Sequence, residues 1–361
     1  LLGYFVNYRQ IVLTADQKEY KITLNIQGFK VIKVLLQILA ISYLSNGYVY
    51  WMILELGMSV ITAIVLDKLL KKEYPWLKTI SSEGGRLRKK YPEIITKTKQ
   101  VFYHQVATIV LAQTSPLIIY AYASLTLVAV YGNYMLIVTG VSLLMDALLR
   151  GINAGVGSLV AEGESKRIKD VFWELTSLRM WLASIACFGI YKFSHSFITL
   201  WVDGEFVLEH HAFVVLLLIA FINMTRTNDT FLAAYGLFQD VWAPLTEAGL
   251  NLVLSILLGY FYGLIGILFG VLISMLLIVC GWKPFFLYKC GFHEGVGEYV
   301  VGYLKYVILI IISFVCISAL TDHLFVLPIY SYATWGWLVF RVLSFYTLSS
   351  FLLFAIVDKS F

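Results

Sequence analysis

Ten long apolar stretches follow one another along this chain, and nearly all of its Lys and Arg residues fall on alternate connections between them. The stretches cover about 22–44, 47–66, 101–122, 127–149, 171–193, 210–227, 243–261, 264–282, 300–320 and 336–357. Each approaches the roughly 20 residues with which an α-helix crosses the hydrocarbon core of a bilayer. Hydrophobic residues make up 60% of the 361, charged residues 14%, and the mean hydropathy is +0.81. A water-soluble domain carries roughly 25% charged residues and could not bury that much apolar surface. The chain therefore reads as an all-α polytopic membrane protein with about 10 complete transmembrane helices. Residues 1–13 read as the tail of one more, cut short, because the chain opens without Met inside an apolar run.

Charge then orients the helices. The connection 67–100 holds Lys68, Lys71, Lys72, Lys78, Arg86, Arg88, Lys89, Lys90, Lys97 and Lys99, and the turn 161–170 holds Lys166, Arg167 and Lys169. The turns near 45–47, 123–126, 194–209, 262–263 and 321–335 have no Lys or Arg. Positive loops stay on the cytoplasmic side, so 67–100 and 161–170 are expected to face inward. The formal net charge of +5 comes mostly from these loops and fits contact with anionic headgroups. With few aromatics interleaved, it does not fit nucleic-acid binding. Cys187, Cys280, Cys290 and Cys316 form no C-x-x-C pair, which gives no sign of a disulfide framework or a metal site.

Four segments follow: 1–66 as the remnant of an N-terminal helix bundle, 67–100 as a basic cytoplasmic connection, 101–283 as a C-terminal six-helix bundle, and 284–361 as two additional helices. A faint repeat at an offset of 216 sets Phe5-Val6-Asn7 beside Phe221-Ile222-Asn223 and Gly47 beside Gly263. Both copies keep the same orientation, as in a parallel repeat.

Ionisable groups at membrane depth are costly and mark partners or pathways. Gln27, Lys30, Lys33 and Gln37 recur at steps of three, three and four, on one helical face. They read either as snorkelling side chains or as the wall of a wet cavity. Asp146, Arg150 and Asn153 form a second set, in which the first two could neutralise each other or Arg150 could hold an anion. Glu247, Asn251 and Ser255 form a third stripe after Pro244, read as a solvated helix end or an ion relay. Glu55 and Gln113 stand alone at depth. Gly259, Gly263, Gly266 and Gly270 have the spacing of close helix packing. There is no nucleotide-binding G-x-x-x-x-G-K-[ST], no H-E-x-x-H, and no outer loop long enough for a glycosyl-transfer site, so no enzymatic activity is expected.

Several segments carry a resemblance. YRQIVLTADQKEYK (8–21), FITLWVDGEFVL (197–208), APLTEAGLNLVLSILLGYFYGLIGILFGVLIS (243–274) and WKPFFLYKCGF (282–292) resemble motifs of the O-antigen and capsule polysaccharide flippases, within the multidrug/oligosaccharidyl-lipid/polysaccharide exporter superfamily. Members have about 14 helices, so the likeness implies a chain lacking roughly the first three. It implies alternating access by two six-helix lobes in a bacterial inner membrane. The substrate would be a polyprenyl-pyrophosphate-linked oligosaccharide carried from the inner to the outer leaflet, with polysaccharide polymerase and chain-length machinery as partners. On that reading Lys30, Lys33 and Arg150 supply cations for pyrophosphate. Gln27, Gln37, Gln113, Asn153 and Asn251 contact sugars, and Glu55, Asp146 or Glu247 couple transport to H+ or Na+, with no metal or cofactor otherwise. The alternatives are an organic-cation exporter of the same superfamily, whose cavity should favour carboxylates, and a polysaccharide polymerase or ligase.

Overall fold

The computed structural model describes residues 10–16, 18–77, 84–122, 124–325 and 331–357, and among these every regular element is helical, with no strand. Among the described residues eight helices are long and apolar enough to cross a membrane. The chain divides into two compact units, residues 1–91 and 92–361, at a boundary inside the basic connection.

The first unit is a helical hairpin with a short helix at its base. Helix α1 (Gln10–Ala15) leads into α2 (Glu19–Tyr43), which packs along α3 (Gly47–Glu73). Their apolar side chains are largely exposed, as suits helices whose solvent is lipid. The base carries a small core of Leu13, Ile22, Leu66, Leu70 and Tyr74. Around it Tyr74 donates to Asp16 Oδ2 at 2.9 Å, Lys18 pairs with Asp16 at 2.6 Å and Lys21 with Glu73 at 2.5 Å. A basic helix α4 (Gly84–Lys90) closes the unit.

The second unit begins with α5 (Pro92–Tyr122), which carries Pro116 inside it. Helix α6 (Leu125–Glu162) starts at Ser124, whose hydroxyl accepts the Leu127 amide at 3.1 Å, and stops at left-handed Gly163. Helix α7 (Ser165–Trp201) is the central element and packs against α6, α8 (His210–Met224), α12 (Gly297–Leu324) and α13 (Tyr332–Val357). A single broad core joins most of these helices, with Phe172 edge to face with Phe231, Tyr288 and Phe292 and tilted against Tyr299. A second core holds α13 to α7 through the Phe188–Tyr346 stack, 4.0 Å between centroids.

Three expected stretches read differently. Residues 101–122 lie in α5 but are not among the eight spanning candidates, because His104, Gln105, Thr108, Thr114 and Ser115 dilute the apolar run. The stretches 243–261 and 264–282 fall in one helical run, Trp242–Phe292, made of α10 (Trp242–Met275), π-helical turns and α11 (Lys283–Leu287). This run is interrupted at Gly263, where φ is +58° and ψ −137°, outside helical space and open to glycine. The chain folds back there: Ser255 Oγ donates to Ile267 O at 3.0 Å, and a Cβ at Gly266 would overlap the Leu258 carbonyl oxygen. The four spaced glycines thus serve a tight antiparallel hairpin within one run. Its limbs are close enough that one of them has no room for side chains at two positions.

Candidate functional site

Among the described residues, charged side chains cluster within membrane-spanning segments at one place in each unit, apart from the Lys192–Asp322 pair (2.7 Å) near the ends of α7 and α12. In the first unit Lys33 stands ten residues before the end of α2 at Tyr43 and Glu55 eight residues after the start of α3 at Gly47, about 15 and 12 Å along their helices from the turn. These similar depths bring the long Lys33 side chain within reach of Glu55. Lys33 Nζ lies 2.7 Å from Glu55 Oε1, and Gln37, one turn on from Lys33, donates from Nε2 to Glu55 Oε2 at 3.0 Å and to Trp51 O at 3.2 Å. Both carboxylate oxygens are therefore engaged from α2. Gln37 is buried, the Lys33 side chain is 18% exposed and that of Glu55 41%. Sequence reasoning placed Lys33 and Gln37 with the substrate and Glu55 with an ion; the fold makes them one cluster. Gln27 and Lys30, on the same helix, are exposed.

The second group is built at a break in a helix. The span His210–Ala234 is discontinuous: α8 ends at Met224 and α9 (Thr227–Ala234) restarts after Thr225 and Arg226. Broken helices at membrane depth survive where protein or a cavity satisfies the freed groups. The break sets Arg226 between two carboxylates, Asp229 Oδ2 at 3.6 Å and Glu247 Oε1 at 3.6 Å, distances of charge attraction rather than hydrogen bonding. Lys283 Nζ approaches Asp229 Oδ1 at 2.7 Å. Arg179 of α7, buried, donates to Thr230 Oγ1 at 3.2 Å and lies in the field of Asp146 and Asp229. Beside this network His104 Nε2 is 3.7 Å from Asp240 Oδ1, and Trp282 Nε1 donates to Asp240 Oδ2 at 3.4 Å. Asp240 is buried in the connection before α10, and burial pushes its carboxyl up.

Glu247 is nearly fully buried and joins this network. Asn251 and Ser255, also buried, belong to the hairpin instead, where the Ser255 hydroxyl bridges Asn251 Oδ1 at 3.3 Å and the Ile267 carbonyl. Asp146 is exposed and reaches the network only through its field on Arg179. The side chains of Gln113, Arg150 and Asn153 lie outside the described residues. Sequence reasoning missed Arg179, Arg226, Asp229 and Lys283. The available signal was an Arg and an Asp three residues apart in the middle of a helical run, beside an Asn and three Thr.

No match was found to this chain among protein-family models, curated proteins or solved structures.

Proposed function

We propose that this chain is a transporter of the polysaccharide-flippase type, passing a polyprenyl-pyrophosphate-linked oligosaccharide from the inner to the outer leaflet by alternating access. The observation that carries the reading is the Lys33–Gln37–Glu55 cluster at the middle of a membrane-spanning hairpin, half open on the Glu55 side. A lone lysine at that depth is unfavourable by roughly 3 kcal/mol, and Glu55 offsets this while no substrate is present. A pyrophosphate carries more charge than a carboxylate and accepts the same Lys33 protons, so it competes with Glu55 for Lys33. Glu55, once displaced, takes up a proton, which gives a stoichiometric route for H+ coupling. Gln37 then has its donor free for a sugar hydroxyl.

The organic-cation exporter is disfavoured by the same cluster, since Lys33 already neutralises the carboxylate that such a substrate would need. In a host whose surface polysaccharide depends on this protein, Lys33→Ala and Glu55→Gln are expected to abolish surface polysaccharide while membrane levels hold. Normal polysaccharide with both variants would remove the reading.

A further inference from the structure

Away from both charge groups, a cleft of about 710 Å3 opens between the first turns of α7 and α12; Asp170, Trp173, Glu174, Glu298, Lys305 and Tyr306 are among its lining. Both helices are spanning candidates and both begin here, so the cleft lies where the bilayer meets water on the side of the 161–170 turn. The two ends are tied by Lys169, whose ammonium bridges Glu294 at 2.6 Å and Glu298 at 2.8 Å. An aromatic floor lies beneath. Trp173 packs on Gly302, where a Cβ would overlap the indole, and its ring lies 6.1 Å from Tyr299 and 6.2 Å from Tyr306. Asp170 and Glu174 are one helical turn apart on the rim, exposed, and without an ion pair among the described residues.

We propose that this cleft binds the headgroup of a zwitterionic phospholipid bearing a primary amine. The ammonium sits over Trp173 among Asp170, Glu174 and Glu298, and the phosphate lies against Lys305. Three observations carry the assignment. The lining holds three carboxylates against one lysine, and although Glu298 is already paired with Lys169, Asp170 and Glu174 remain to repel a purely anionic headgroup and attract an ammonium ion. A tryptophan face beside carboxylates is the surface on which a cation gains most. The groups are also stacked in the order that such a lipid presents: Glu298 lies in the first turn of α12, nearest water, and Lys305 about two turns further in, as phosphate lies inside amine in the headgroup. The proposal needs only the membrane setting and stands apart from the transport reading.

The test is native mass spectrometry of the whole chain in detergent, with dioleoyl phosphatidylethanolamine and dioleoyl phosphatidylglycerol added at equal concentration. The amine lipid is expected to be retained about tenfold over the glycerol lipid, equivalent to about 1.4 kcal/mol. Asp170→Asn combined with Glu174→Gln should bring the ratio close to one. Lys305→Gln should weaken the amine lipid while leaving the order intact. Soluble phosphoethanolamine that competes would identify the headgroup alone as sufficient, and failure to compete would identify the membrane-borne lipid. Equal retention of the two lipids by the unaltered chain, an undiminished preference in the double variant, or capture of a basic peptide with no lipid preference would overturn the proposal.

Discussion

The two charged groups differ in how each charge is held. In the first unit Lys33 has one acidic partner, and Glu55 keeps 41% of its side chain open. In the second, Arg226 faces two carboxylates, Asp229 faces two cations, and Glu247 is almost wholly enclosed. A charge with one accessible partner can exchange it for a ligand, whereas a charge shared among four helical segments can leave only by disrupting their packing. Proximity of charges in a membrane protein is therefore poor evidence of a substrate site; the number of partners and their exposure separate a working pair from a structural one.

Removing a shared charge should have the largest effect. Asp229→Ala would leave Lys283 and Arg226 facing each other without their common counter-ion. A buried pair broken on one side costs about 3–5 kcal/mol, and the partial exposure of Asp229 lowers that to about 2–3 kcal/mol. Thermal unfolding in detergent should show a clear drop in midpoint. An unchanged midpoint would mean that the network is as dispensable to the fold as the pair in the first unit. Gly270→Val comes next, because its side chain would be driven into the Ser255 backbone of the opposing limb. Overpacking of this kind costs about 1–3 kcal/mol, and a midpoint within error of the parent would show that the hairpin limbs can part.

The pair in the first unit should behave in the opposite way. Lys33→Gln with Glu55→Gln is expected to leave the unfolding midpoint in detergent close to that of the parent, because the pair is held by few other groups, while eliminating the transport proposed above. With the four native cysteines replaced, Lys33→Cys should react with a water-soluble thiol reagent, and silence would reject a wet face at that depth.

Much of the fold could be read from the chain because lipid imposes one rule on every spanning segment, a long apolar helix. The turn at Gly263 was legible for a related reason, since glycines spaced for close approach on either side of it admit few alternatives. The sites were less legible. One helix face can be read from periodicity, as for Gln27, Lys30, Lys33 and Gln37, but pairing with Glu55 depends on the register of two helices. Here the short turn at 44–46 sets both residues at similar depth, about 15 and 12 Å from it along their helices, and so carried that register. No such symmetry links Arg226 to Glu247 or Asp229 to Lys283, which meet through the break at Thr225–Arg226 and the return of the hairpin. Burial of Asn251 and Ser255 against the opposite limb likewise follows from tertiary packing, and their spacing alone fits a polar stripe equally well.

The smallest effect is a difference in sign between two carboxyl groups outside the spans. Asp16 is held below the usual carboxylate range by its hydrogen bonds to Lys18 and then Tyr74, so it contributes stability above that range and loses it as pH falls through its folded value. Asp240 is held above that range by burial, against the pull of His104 and Trp282. Its folded form binds the proton more tightly than its unfolded form, so its contribution is fully present below the ordinary carboxyl pKa and is lost as pH rises through the folded value. Between these limits the base of the first unit should firm up with rising pH while the Asp240 contact loosens. Hydrogen exchange followed separately over residues 10–21 and 236–246 would resolve the two trends. Asp240→Asn should flatten the second trend and leave the first intact. If both segments shift in the same direction with pH, or if Asp240→Asn leaves its own segment unchanged, burial is not what distinguishes these two carboxyl groups.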